Sequence, residues 1–356
     1  MKETNKVSKM PVFGLAVTAA IVLSAALLLA GCIGNLLSDD DDDDDGDGTT
    51  FTSNDALKAW LDKQPDNTPE KPYIVKLNVR ELSSVLGNQI SGGKYVYLDC
   101  SGSTFTTIPD YTFAAPLIGS YCPFLTGIII PDSVTSIGRQ GLGGCTSLTT
   151  LTIPNSVTSI GPGAFESCTS LTSITLPNSV TSMGNSAFKN CTSLTSITIP
   201  NSVTSIVAWA FESCTSLKSV TIPDSVTEIE GSAFRNCTSL TSVTIPNSVT
   251  GIGGTAFQGC TSLAGVTIGN SVTTIGNDAF SGTGLKSVTI PASVTRINYW
   301  AFTLCNSLTS VTFEGTITDF GDYGSPFDYD LEDKYREGGI GTYTREIGGS
   351  TWTKSE

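Results

Sequence analysis

The sequence predicts a solenoid: a stack of short units that forms a parallel β-sheet on one face and is capped at both ends. Two observations carry this. Cysteines fall at 122, 145, 168, 191, 214, 237 and 260, each 23 residues apart, and Phe165, Phe188, Phe211, Phe234, Phe257 and Phe280 keep the same beat. Within a unit the apolar positions also repeat, as at Leu194, Ile197, Ile199, Val203, Ile206, Ala210, Phe211 and Cys214. A unit this short cannot bury its own apolar face, so neighbouring units must stack to make a core.

The elements follow in chain order. Lys2, Lys6 and Lys9 precede a nearly unbroken apolar run over 12–30, and Leu29–Cys32 reads LAGC. An apolar run of about 20 residues is long enough to span a bilayer. Small residues directly before a cysteine at the end of that run instead resemble a lipobox. Residues 1–31 are therefore expected to be a lipoprotein signal peptide, with cleavage before Cys32 and lipid on its thiol. Residues 32–50 contain seven consecutive aspartates. They repel one another and bring no apolar surface, so an extended acidic tether is expected. An unbroken run lacks the spaced ligands and turn glycine of a calcium loop.

Residues 51–121 read as an N-terminal cap and a degenerate first turn. Residues 54–63 suit a short helix with an Asn/Asp start, and residues 73–79 an opening strand. Open solenoid ends expose a sheet edge and a slice of core, so caps are physically required. Residues 122–313 carry the repeats. In Leu-x-x-Ile-x-Ile the period-two spacing places Ile197 and Ile199 inward and Ser196 and Thr198 outward. Pro200, which lacks an N–H, ends the strand. Gly184 and Gly253 mark tight bends, and turns, short strands or 3₁₀ segments complete the unit. Leu142 in the Phe slot, Thr283 in the Cys slot and Gly269 in the Pro slot predict local repacking only. Residues 314–356 form the C-terminal cap, starting with a helix near residues 330–337.

Little in the sequence points to chemistry. There is no histidine, so no Ser–His or Cys–His nucleophile can be assembled. One cysteine per 23 residues is not a zinc spacing, and parallel ladder side chains suit a disulfide poorly. The cysteines are expected to pack in the core, with Cys100 and Cys122 the nearest to exceptions. Glu228 and Glu230 read as a solvated face. No metal, cofactor or enzymatic activity is expected. Beyond residue 31 there are 16 Lys+Arg against 32 Asp+Glu, yet residues 122–313 hold only six basic and seven acidic side chains. That near-neutral body has no basic face for nucleic acid.

At Leu148–Cys168 the sequence LTTLTIPNSVTSIGPGAFESC resembles the BspA-like, Treponema pallidum-type leucine-rich repeat, whose pattern is LxxLxLPxxLxxIxxxAFxxC. The resemblance implies a right-handed leucine-rich-repeat superhelix. It also implies adhesion to host matrix proteins, host cell-surface proteins or other bacterial surface proteins. With the lipobox, it implies a protein anchored through Cys32 and displayed on the outer membrane surface of a bacterial envelope. The alternatives are a periplasm-facing structural lipoprotein and, from the flat Ser/Thr rows, an ice- or glycan-binding surface. Partner discrimination must come from positions where units differ, chiefly the two slots before Ala-Phe. Trp209, Tyr299 and Trp300 are large aromatics in slots otherwise small or polar, and are the expected partner-binding residues.

Overall fold

The structure, a computed structural model, describes residues 49–84, 86–90, 93–114, 122–321 and 324–355. The expected signal peptide, Cys32 and the aspartate run lie outside the described residues.

The first sheet opens with β1 (Thr50–Phe51), which pairs in parallel with β2 (Tyr73–Leu77). Between them, α1 (Asn54–Leu61) covers the end of the stack with buried Leu57 and Leu61, four residues apart on one helix face. Its cap is Ser53, not the Asn/Asp the sequence suggested. Ser53 is extended and its Oγ accepts from the Ala56 N–H at 3.1 Å. The helix also stops at Leu61. α2 (Leu86–Gln89), β3 (Val96–Asp99) and β4 (Thr107–Ile108) make the degenerate first turn.

Each unit then supplies a longer and a shorter strand. They are β5 (Leu125–Ile129) and β6 (Ser136–Ile137), β7 (Thr150–Thr152) and β8 (Ser159–Ile160), β9 (Ser173–Thr175) and β10 (Ser182–Met183), and β11 (Ser196–Thr198) and β12 (Ser205–Ile206). The series continues with β13 (Ser219–Thr221) and β14 (Glu228–Ile229), β15 (Ser242–Thr244) and β16 (Gly251–Ile252), and β17 (Gly265–Thr267) and β18 (Thr274–Ile275). It closes with β19 (Ser287–Ile290) and β20 (Arg296–Ile297), then β21 (Ser310–Phe313). From β5 onward the odd-numbered strands form one face. The short even-numbered strands form a second parallel sheet, which resolves what the sequence left open for that side. Register is one whole repeat, with Ile197 opposite both Ile174 and Val220. The ladder of the first face is interrupted between β5 and β7, between β13 and β15 and between β17 and β19, and that of the second between β10 and β12.

The third side is hydrogen-bonded in one direction only. At the strands N–H groups donate both ways, Thr172 to the preceding Thr149 carbonyl and Ile245 to the following Thr267 carbonyl. On the third side they donate to the following turn: Gly163 to Asn185, Phe165 to Ala187 and Ser167 to Lys189, at 2.9, 2.8 and 2.7 Å. This geometry needs a left-handed residue two places before each Phe and another two places after it, as at Gly163 and Ser167, both at φ 61°.

The core is a set of ladders. Phe165, Phe188, Phe211, Phe234, Phe257, Phe280 and Phe302 stack face to face, with centroids 5.1–5.6 Å apart and planes within 3–11°. The stack continues on Phe327, 5.0 Å from Phe302, so the repeat geometry runs past Phe313. All nine cysteines from Cys100 onward are free and buried, Cys100 and Cys122 included. The sequence omitted their polar role. Each Sγ of Cys191, Cys214, Cys237 and Cys260 donates to the Phe carbonyl 26 residues earlier, at 3.1–3.2 Å.

Gly184 and Gly253 serve close approach, since neither has a left-handed φ. A Cβ on Gly184 would lie 2.3 Å from Pro162 N, and one on Gly253 2.6 Å from Glu230 C. The three departures repack locally. Leu142 is buried, the Thr283 hydroxyl donates to Phe280 O at 2.8 Å, and a Cβ on Gly269 would sit 2.4 Å from Pro246 O.

The C-terminal cap is α3 (Leu331–Gly338), β22 (Gly341–Thr344) and β23 (Thr353–Lys354). β22 runs antiparallel along β21, placing Tyr343 opposite Val311, and so closes the exposed edge. Tyr335 accepts from Ile317 N and donates to Gly315 O. Arg345 is buried, donates to the Leu308, Gly349 and Cys305 carbonyls, and lies over the rings of Tyr329 and Trp352.

Candidate interaction surface

Hydroxyl-rich rows divide into two kinds. Thr158, Thr181, Thr227, Thr250 and Thr273 each donate to a main-chain carbonyl 23 residues earlier, and Ser156, Ser179 and Ser225 do so 22 residues earlier. These hydroxyls hold the stack together. Ser196 and Thr198 are exposed as expected, as are their copies on β7, β9, β13 and β15. They present the same groups turn after turn. A shallow hollow of about 590 Å³ opens over β13, β15 and β17, where the ladder is interrupted.

The variable slots lie on the third side. Their second member is left-handed in every unit: Gln140, Gly163, Ser186, Trp209, Ser232, Thr255, Asp278 and Trp300. Glycine and small polar residues tolerate that conformation, while a bulky side chain there is an outlier. Trp209 at φ 56° and Trp300 at φ 59° are held in it, and 42% and 47% of their surfaces are exposed. Both tryptophan side chains thus face solvent. Tyr299 is half-buried, edge-on to Trp300 with centroids 5.0 Å apart.

The structure does not gather the three aromatics into one site. Trp209 and Trp300 share a row but stand four turns apart. Trp300 packs beside the cap, where a Cβ on Gly324 would come within 2.9 Å of its Nε1. Trp209 instead walls a hollow of about 480 Å³ with Arg139, Glu166, Asn185 and Ser186.

Sequence reasoning missed two features of this side. Residues just after the Phe slot alternate in charge as Glu166, Lys189, Glu212 and Arg235. Glu212 is largely buried, 2.8 Å from Lys189 and 3.8 Å from Arg235. Comparing that one position down the repeats would have found it. Leu304 and Tyr329, at 65% and 53% exposure, are also left-handed. Leu304 occupies a slot that other units fill with Gly, Asn or Ser, which was the available signal. Glu230 corrects the expectation of a solvated face, since it is half-buried and accepts from Ser205 Oγ and Ala208 N at 3.1 and 3.0 Å.

Burial pushes the thiols of Cys168, Cys214 and Cys260 up to about 12, which leaves them unreactive at neutral pH. Among the described residues no group of three or more His, Cys, Asp or Glu is placed to hold a metal ion, and no helix is long and apolar enough to cross a membrane.

The family described as BspA type leucine rich repeat region matches in six copies over residues 106–241 and 227–324. A leucine rich cell surface protein from Faecalibacterium prausnitzii is similar at 28% identity, covering 58% of this chain and 76% of that one, with a TM-score of 0.34. The Treponema pallidum leucine rich repeat protein is 25% identical over 56% of this chain and 86% of its own, with a TM-score of 0.42. A Bacteroides ovatus leucine-rich repeat protein is 24% identical over 67% of this chain and 80% of its own, with a TM-score of 0.39. No curated protein matches.

Proposed function

The chain belongs to the BspA-type leucine rich repeat family, and from that premise we propose that it is a lipid-anchored bacterial surface protein whose solenoid binds other proteins in adhesion. The observation that carries the reading is the third side. Two large aromatics stand exposed in left-handed slots that neighbouring turns fill with small residues, on a body of nearly balanced charge. Exposed tryptophan is the commonest interface anchor. The partners are host matrix proteins, host cell-surface proteins or other bacterial surface proteins, with the acidic stretch holding the solenoid away from the membrane.

Three experiments test it. Trp209→Ala with Trp300→Ala, in the displayed protein, should reduce attachment to matrix proteins or cells. Unchanged attachment by a folded variant moves binding to the first sheet, beside Lys218 and Lys286. Display itself is tested by mild protease on intact cells, where full protection favours a periplasm-facing structural protein. Labelling with a palmitate analogue should mark wild type and spare Cys32→Ala.

A further inference from the structure

The hollow beside Trp209 differs from the rest of the row in what lines it. We infer that it is a saccharide site, receiving a neutral pyranose unit of a glycan chain against the Trp209 indole. An apolar ligand does not fit, because beyond Trp209 and Pro162 the wall is polar. An ionic ligand is not selected either, since Arg139 and Glu166 bring opposite charges. What remains is a surface of mixed donors and acceptors. The guanidinium only donates, the carboxylate only accepts, and the Asn185 amide and Ser186 hydroxyl do both. Sugar hydroxyls also donate and accept, while the C–H face of a pyranose suits the face of an indole. A hollow of about 480 Å³ is of ordinary size for a small-molecule site.

The main chain argues against an extended peptide at this place. Its N–H groups are already committed from turn to turn: Gln140 to Pro162, Gly163 to Asn185 and Ser186 to Ala208, at 2.9–3.0 Å. No open ladder is left for strand addition. Gly163, at φ 61°, adds no side chain, and the Gln140 and Glu166 side chains close over it, each 3.0 Å from where its Cβ would stand. Trp209 meanwhile holds the same left-handed geometry at φ 56° despite its bulk. The repeat imposes that conformation at every equivalent slot, so what sets this unit apart is the bulk of the side chain placed there.

The test is titration of the full chain with cellohexaose, chitohexaose, maltohexaose and mannohexaose, read by calorimetry and indole fluorescence. Saturable binding of at least one is expected, and Trp209→Gly should weaken it by roughly tenfold or more. That variant is chosen because glycine already occupies the equivalent slot at Gly163, so the turn keeps its backbone. A thermal melt confirms folding, and Leu304→Gly, at an exposed left-handed slot outside the hollow, should bind as wild type. The inference is overturned if none of the four saccharides gives saturable binding, or if Trp209→Gly binds as tightly as wild type. It is also overturned if Trp209→Gly loses attachment to a protein while no saccharide binds. Soluble saccharides report on the hollow alone, so a negative result leaves the adhesion reading standing.

Discussion

The thiol of Cys191 donates to the carbonyl oxygen of Phe165, 3.1 Å away in the preceding turn. That oxygen also accepts from the Cys168 N–H at 3.2 Å, so both of its lone pairs are used inside the core. The cysteine is a polar fastener between turns as well as a small apolar filler.

Replacing Cys191 by Ala should therefore cost more than its volume suggests, about 1–2 kcal/mol, from the lost contact and the half-satisfied carbonyl. Urea unfolding of the single variants at Cys191, Cys214 and Cys237 checks this. The native protein should leave these thiols unmodified by a neutral-pH thiol reagent, and the denatured, non-reduced protein should titrate all of them.

Alkali should unfold the protein early. Unfolded thiols ionise near 9, whereas Cys168, Cys214 and Cys260 are held at about 12 when folded. Protons are thus released on unfolding, and stability falls as pH rises from about 9 toward 12. At pH 10 the loss is about 1 kcal/mol for each such thiol. Denaturant midpoints at pH 7.5 and pH 10 measure it, and the triple Ala variant at these positions should show a shallower fall.

Phe211 has a stacked ring on both sides, at 5.6 Å from Phe188 and 5.3 Å from Phe234. Phe211→Ala should cost roughly 3–5 kcal/mol by leaving a cavity that neither neighbour can fill. A fall in the thermal midpoint, with amide exchange rising first around Phe188 and Phe234, is the expected result.

Arg345→Met removes three donors to carbonyls and the cation between Tyr329 and Trp352. A loss of about 2–4 kcal/mol is expected. It should appear as fraying of the C-terminal cap in amide exchange before the central turns open.

Trp209→Gly should raise stability or leave it unchanged, by about 1 kcal/mol at most, because glycine relieves the left-handed backbone. Trp300→Gly should behave less favourably, since that ring also packs against the Gly324 backbone and Tyr299. Thermal melts of both variants decide the point.

Much of this fold was legible because repetition makes packing visible: a position such as Phe211 that recurs in every unit must face its own copies. Ser196 and Thr198 were assigned outward, and Ile197 inward, by period two alone. The helix cap was misplaced because Ser53 and Asn54 are both good caps, and only backbone geometry distinguishes them. Gly184 was read as a bend because a sequence cannot distinguish a glycine needed for φ from one needed for clearance. The left-handed backbone at Trp209 was equally invisible, since its neighbours Gly163, Ser186 and Ser232 also suit ordinary turns. Glu230 misled because its partners lie one turn away, outside any local window.

Whole-repeat register makes the molecule a ruler with discrete marks. Each turn offers its neighbour the same hydrogen-bonding outline, so one unit can be inserted or deleted between Trp209 and Trp300 without changing any contact within a turn. The distance between the two aromatic positions then changes by one turn spacing, about 5 Å, as in a parallel sheet. Reach along the third side is thus counted in units and can lengthen by duplication while the chemistry at each mark stays fixed.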